Sequence, residues 1–277
     1  MRFRSYETDG RSGVAVQDGD VWRDLGAVDL TDLMARGETA RADIGAGKPE
    51  IDMASVRLLP VIPKPPKFIC VGLNYVDHAA ESPYKDLPTY PAFFLRVNSS
   101  LIGDGAALVR PRASHEFDFE GELAVIIGKT ARHVSAEDAL DHVGGYSIFN
   151  DGSIRNYQFL SVQWTPGKNF DETGPLGPEL VTPDELPAGA SGLKLETLLN
   201  GQVMQTGNTA DMIFPVAELI ARASEFCTLE PGTVIATGTP AGVGFARNPP
   251  VFMKDGDTCD IRIEGIGTLS NPVRDEA

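Results

Sequence analysis

The chain has 277 residues, 42% of them hydrophobic, and a formal net charge of −15 at pH 7. That is enough for one large domain or two small ones, with apolar material for a sizeable core. The negative charge and the lack of a basic cluster exclude a phosphate-backbone partner, and no run of about 18 apolar residues offers a membrane span. Three cysteines, Cys70, Cys227 and Cys259, stand far apart without zinc spacing, so reduced thiols are expected. The N-terminus has no apolar signal core, and the expected location is cytoplasmic.

Residues 1–60 read as a small N-terminal domain. SGVAVQDGDVWRDLG predicts two short strands about a turn at Asp18-Gly19, and DLTDLMARG a helix starting at Asp29 or Thr31 and stopping at Gly37. The segment Pro60 to Lys67 carries four prolines in eight residues and reads as the connector into a second domain, 61–277. There FICVGL, AFFLRV, GELAVIIG, GYSIFN, TVIATG and TCDIRIEGIGTL are strand signals. Asn200-Gly201 lies between two alternating runs and predicts a hairpin, with a second one near Gly265. Two helices are expected, SAEDALDHV capped by Ser135 and FPVAELIARASEF with Pro215 near its first turn. Many strands, few helices and many Gly/Pro turns predict a mostly β fold with minor helices, an α+β class.

The strand EFDFEGELAVIIGK poses a chemical question. Glu120 and Glu122 stand at i and i+2, on one face and roughly 7 Å apart. Two like charges resist burial there, so water, a basic partner or a divalent cation should compensate them, unless they lie on a solvent-facing edge. Asp151 ends the apolar run GYSIFN and adds a third acid. Three carboxylates would suit a hard cation, Mg2+, Mn2+ or Ca2+, rather than zinc.

Other groups gather around this motif. His78 and Glu81 are three apart, so one helical turn would place them together as an oriented general base. Lys168 sits in WTPGKNFDETGPLGP, a Gly/Pro-rich loop from which it could neutralise an oxyanion. Arg155 and Gln158 follow Asp151 at +4 and +7, and a helix starting at Asp151 would turn all three one way. ATGTPAGVGFARNPP lacks the ending of a phosphate loop. Its small residues read as a carboxylate-binding loop with Thr239. Each of these also has a bland reading as an ordinary surface side chain or a tight turn. His115, His133 and His142 show no comparable pairing and read as structural.

Taken in order, GLNYVDHAAE, PAFFLRVNSSLIGDG, DFEGELAVIIGK, GYSIFNDGSIRNYQ, GKNFDETGPLGP, LNGQVMQTGNTADMIF, GTVIATGTPAGVG and GDTCDIRIEGIGTLSNPV resemble the fumarylacetoacetate hydrolase family, over about Pro65 to Val273. The resemblance implies a mixed β-sandwich roll, usually a homodimer. It implies that Glu120, Glu122 and Asp151 hold Mg2+ or Mn2+ and that Lys168 lies beside the ion. His78 and Glu81 would sit on a lid, continued by AAESPYKDLPTYP, and activate water. Arg155, Gln158 and Thr239 would line the substrate pocket. Two positions depart from the family pattern. NDGSIRN replaces NDVSARD, so that Asn156 stands where an aspartate is usual. Arg96 replaces the lysine of FxKP, a bulkier, forked cation that would alter how a substrate carboxylate is held.

The expected substrate is a small 2-keto or diketo acid. The resemblance favours hydrolytic C–C cleavage of an acylpyruvate or fumarylpyruvate, with a decarboxylase, isomerase or tautomerase of an acid such as oxaloacetate as the alternative. A non-catalytic ion- or ligand-binding protein on the same scaffold would have lost a ligand, lysine or histidine, and none is lost.

Overall fold

The structure, a computed structural model, describes residues 1–81 and 87–277. The middle of the expected lid loop, 82–86, lies outside the described residues. The fold is mostly β with minor helices, as the strand-rich sequence predicts. An eleven-stranded mixed sheet runs in the order Val21–Asp24, Arg11–Asp18, Arg2–Thr8, Gly174–Val181, Val143–Asn150, Gly121–Ile127, Val234–Ala236, Phe68–Gly72, Ala92–Leu95. Arg57–Leu58 and Leu101–Ile102 pair onto its flank. A five-stranded sheet, Gln202–Asn208, Lys194–Leu199, Thr258–Ile263, Gly267–Asp275 and Leu108–Arg110, packs against it.

The strand Gly121–Ile127 explains the layering. Side chains alternate, and both faces are buried. Leu123, Val125 and Ile127 join a core with Leu195, Ile261, Ile263 and the helix Val216–Phe226. Ala124 and Ile126 join the opposite core with Phe3, Val14, Leu30 and Phe68. Burial of each large aliphatic side chain contributes about 1.5–3 kcal/mol, which is why this strand is continuously apolar rather than alternating.

Both predicted hairpins form. Lys194–Leu199 pairs with Gln202–Asn208 around Asn200-Gly201, and Thr258–Ile263 pairs with Gly267–Asp275. The first 60 residues extend the large sheet: Arg2 and Phe3 register with Val181 and Leu180. Asp29 caps the helix Leu30–Ala35 by accepting from the Thr31 amide. One expected helix is different. Ser135 accepts the Asp138 amide as an N-cap would, but of SAEDALDHV only a 3-10 turn, Ala139–His142, forms before the strand Val143–Asn150 begins. The three cysteines are free thiols. Among the described residues no helix is long and apolar enough to cross a membrane.

Candidate active site

Two neighbouring strands set the acids. Glu122 lies in Gly121–Ile127, on the face of Ala124 and Ile126, and Glu120 just precedes that strand. Asp151 follows its partner strand, and the Asp151 amide donates to the Glu120 carbonyl at 3.0 Å. Glu120, Glu122 and Asp151 thus each bring a carboxylate oxygen to one point, within 4.8 Å of one another, and all three are buried.

The compensation is unequal. Lys168 ends the short helix Thr165–Lys168, is 2% exposed, and reaches Glu120 at 2.8 Å and Asp151 at 2.6 Å. It is therefore a buried cation and not a solvated surface lysine. Arg155 reaches Glu120 at 2.7 Å, and Arg96 reaches Asp151 at 2.5 Å. Among the described residues no cation pairs with Glu122, which accepts the Gly238 amide at 2.9 Å. Burial pushes the Glu120 carboxyl up, but Lys168 and Arg155 outweigh it and hold it well below the usual range. Burial, with Asp151 and Glu120 beside it, pushes Glu122 up. Burial disfavours the Lys168 ammonium, and Asp151 and Glu120 more than restore it.

A hard divalent cation fits this donor set. Three carboxylates converge, and the one without a basic partner is the one in which no cation outweighs the penalty of burial. With Asp118 the cluster holds four carboxylates against three cations, an acidic surplus that a divalent ion would reverse in favour of an anionic substrate.

The helix Val76–Glu81 supplies the other end. Asn74, fully buried, donates to the Phe214 and Thr237 carbonyls and accepts from the Phe214 amide, fixing the chain just before the helix. One turn on, His78 Nδ1 lies 2.9 Å from Glu81 Oε2, as the spacing of three predicts. A cavity of about 370 Å3 joins His78 to the acids, Lys168, Arg155, Gln158 and Thr239, and aromatic Phe94, Phe159, Trp164 and Phe245 wall it.

Several site residues take unexpected places. The helix Arg155–Gln158 starts four residues after Asp151, so the acid belongs to the strand end and not to that helix. Arg155 Nη1 and Gln158 Oε1 still meet at 2.7 Å. Asn156 accepts from the Ser114 hydroxyl, and Arg155 is held instead by Asp118 at 2.8 Å and by Glu120. Arg155 Nη2 is buried without a hydrogen-bond partner. Arg96 does not line the cavity; it sits behind Asp151, bonded to Ser100, Thr173 and the Gly152 carbonyl. Thr239 donates to the Gly121 carbonyl at 3.0 Å and accepts from Gln205 at 2.8 Å.

The loop read as binding a substrate carboxylate binds the protein's own carboxylates. Gly238 donates to Glu122, Gly242 to Glu81, and Gly244 and Phe245 to Asp118. Asp118 was not singled out in the sequence, yet it stands two residues before Glu120, continuing the same alternation. The aromatic walls carried no local signal either.

Known proteins resemble this chain over its whole length. The profile described as fumarylacetoacetate (FAA) hydrolase C-terminal matches residues 67–274. Oxaloacetate tautomerase fahd2, mitochondrial, of Xenopus laevis is 39% identical over 286 residues, covering 99% of this chain and 89% of that protein. A fumarylacetoacetate hydrolase from the psychrophile Exiguobacterium antarcticum superposes with a TM-score of 0.88 at 38% identity, covering 100% of both chains. Maleylpyruvate hydrolase from Sphingobium sp. SYK-6, solved in complex with manganese(II) ion and pyruvate, superposes with a TM-score of 0.82 at 32% identity, again covering 100% of both.

Proposed function

The chain belongs to the fumarylacetoacetate hydrolase family, and from that premise we propose that it is a divalent-metal-dependent tautomerase that interconverts the keto and enol forms of oxaloacetate or a close 2-oxo acid. The observation that carries the reading is one cavity lined by His78, which Glu81 backs, together with a carboxylate triad and a buried lysine. The relatives named as oxaloacetate tautomerases favour this reaction over the hydrolysis expected from the sequence.

Glu120, Glu122 and Asp151 would hold Mg2+ or Mn2+, and manganese is the ion named with the Sphingobium enzyme. When bound, the ion supplies Lewis-acid polarisation of the 2-oxo oxygen. Glu81 accepts from His78 Nδ1, which fixes the tautomer and leaves Nε2 as the base toward the cavity. His78 takes a proton from C3 of the substrate, and the bonding pair becomes the C2–C3 double bond as the carbonyl pair moves onto the 2-oxygen. Lys168 donates a hydrogen bond to that oxygen as charge develops; a water proton completes the enol, and His78 gives its proton back to solvent, which restores the neutral imidazole. Arg155 Nη2, a buried donor without a partner, suits one oxygen of the second carboxylate of a four-carbon diacid.

A second reading keeps the hydrolytic chemistry. The same His78–Glu81 pair at 2.9 Å can deprotonate a water, and an acylpyruvate would then break its C–C bond with Lys168 beside the tetrahedral oxyanion. The test follows decay of enol oxaloacetate by ultraviolet absorbance with metal-stripped protein, then with Mn2+, and runs an acylpyruvate in parallel. Mn2+-dependent acceleration of the keto–enol exchange supports the tautomerase. Acylpyruvate cleavage without that acceleration would replace it with the hydrolase.

A further inference from the structure

The cavity is lined by His78, but what holds the pair His78–Glu81 lies outside it. Glu81 has two carboxylate oxygens. One meets His78, and the other accepts the backbone N–H of Gly242 at 2.8 Å. Gly242 comes from a loop far away in sequence, so this amide ties the dyad to a distant segment of the chain.

That amide is unusually constrained. Gly242 has φ +102, a backbone conformation that L side chains rarely adopt, and a Cβ there would lie 2.4 Å from the Met204 carbonyl oxygen. Arg247 closes the arrangement. Its Nε donates to the Gly242 carbonyl at 3.1 Å, and its Nη2 donates to the Met204 carbonyl. The guanidinium therefore bridges two carbonyl oxygens of different segments, the loop and the strand Gln202–Asn208. It fixes the peptide after Gly242, while Glu81 takes the N–H of the peptide before it. Without that bridge, a glycine has the freedom to rotate its flanking peptides and withdraw the N–H.

We propose that Arg247 is a positioning residue for the acid–base pair, acting through the Gly242 peptide to fix the Glu81 carboxylate and thereby the ring of His78. The inference rests on the reading of His78–Glu81 as the acid–base pair. Arg247 itself touches two backbone carbonyls and not the cavity. Its fork geometry matters, because a lysine reaches one carbonyl but cannot span both.

The experiment is a double-mutant cycle on the Mn2+-loaded protein, with Arg247→Met, Glu81→Gln and both together, assayed by keto–enol exchange of oxaloacetate across pH. Circular dichroism and Mn2+ binding check that each variant is folded. Arg247→Met is expected to lower kcat about 10-fold with KM changed less than about 2-fold, and to move the kcat–pH profile toward that of Glu81→Gln. In the Glu81→Gln background the same substitution should do nothing further, because the residue it acts through is already disabled. Arg247→Lys should recover part of the loss. Equal losses from Arg247→Met in both backgrounds, with Glu81→Gln slow, would overturn the proposal alone. Wild-type kcat in Glu81→Gln would overturn the acid–base reading and this inference with it. Should Arg247→Met fail to fold, the same cycle with Arg247→Lys decides, additivity again being the adverse result.

Discussion

Arg96 Nη1 lies 2.5 Å from Asp151 Oδ1, and both side chains are sealed from solvent. The forked cation that replaces the family's usual lysine is thus turned on a carboxylate of the protein rather than on the cavity. Its other donors go to Ser100, Thr173 and the Gly152 carbonyl, so the guanidinium orients Asp151 while being oriented itself.

Removing that clamp should cost stability and metal together. Arg96→Met leaves Asp151 with Lys168 as its remaining cation, so the loss should sit near the lower end of the about 3–5 kcal/mol typical of breaking a buried pair. Mn2+ affinity should fall about 10- to 100-fold. Denaturant unfolding and a Mn2+ titration measure the two, and a variant as stable as the parent would remove Arg96 from this role.

Lys168→Met should separate binding from turnover. The ammonium occupies Glu120 and Asp151, two of the three acids, and repels an incoming cation. Its loss should leave Mn2+ bound at least as tightly, while kcat falls about 10²- to 10³-fold, as for removal of a donor to a developing oxyanion. Weak Mn2+ binding with normal kcat at saturation would assign the lysine to ion retention instead.

The third prediction concerns alkaline pH, far from the cavity. Tyr6 is buried and donates to Asp24 at 2.5 Å; burial first, then that bond and the charge behind it, pushes its phenol up to about 12. The unfolded phenol titrates at about 10. A pKa raised on folding means the contribution is whole below the unfolded value and is lost as pH climbs through the folded one. The protein should therefore lose stability between about pH 10 and 12. Tyr6→Phe should be less stable near neutrality by about 1 kcal/mol yet show a shallower alkaline decline. Urea midpoints across pH test this, and parallel curves for the two proteins would sink it.

What the sequence made legible was local. Glu120 and Glu122 share a face because strands alternate, and His78 and Glu81 meet because one helical turn spans three residues. Asn200-Gly201 dictated its hairpin for the same reason. What it hid depends on chain segments far apart. Nothing near Arg2 announces a pairing with Val181, and nothing near Arg96 says that its guanidinium turns inward to Asp151. Asp118 was overlooked because the role it takes, gripping Arg155 and two amides of a distant loop, requires three segments to be in place. Ser135 does cap a turn, accepting the Asp138 amide, but the chain enters the strand Val143–Asn150 after one 3-10 turn, a limit set by distant strand pairing.

The loop from Gly238 to Phe245 presents its amides to Glu122, Glu81 and Asp118 in turn. Inserting or deleting one residue inside it would put each later amide out of step with its carboxylate, and no side-chain replacement can restore a misplaced backbone N–H. The segment around Phe159 to Val162, whose apolar side chains stand well out into solvent, carries no such chain of bonds. Variation in length should therefore gather in the second segment and be barred from the first, so that changes in substrate range arise at the cavity mouth while the spacing of its acids stays fixed.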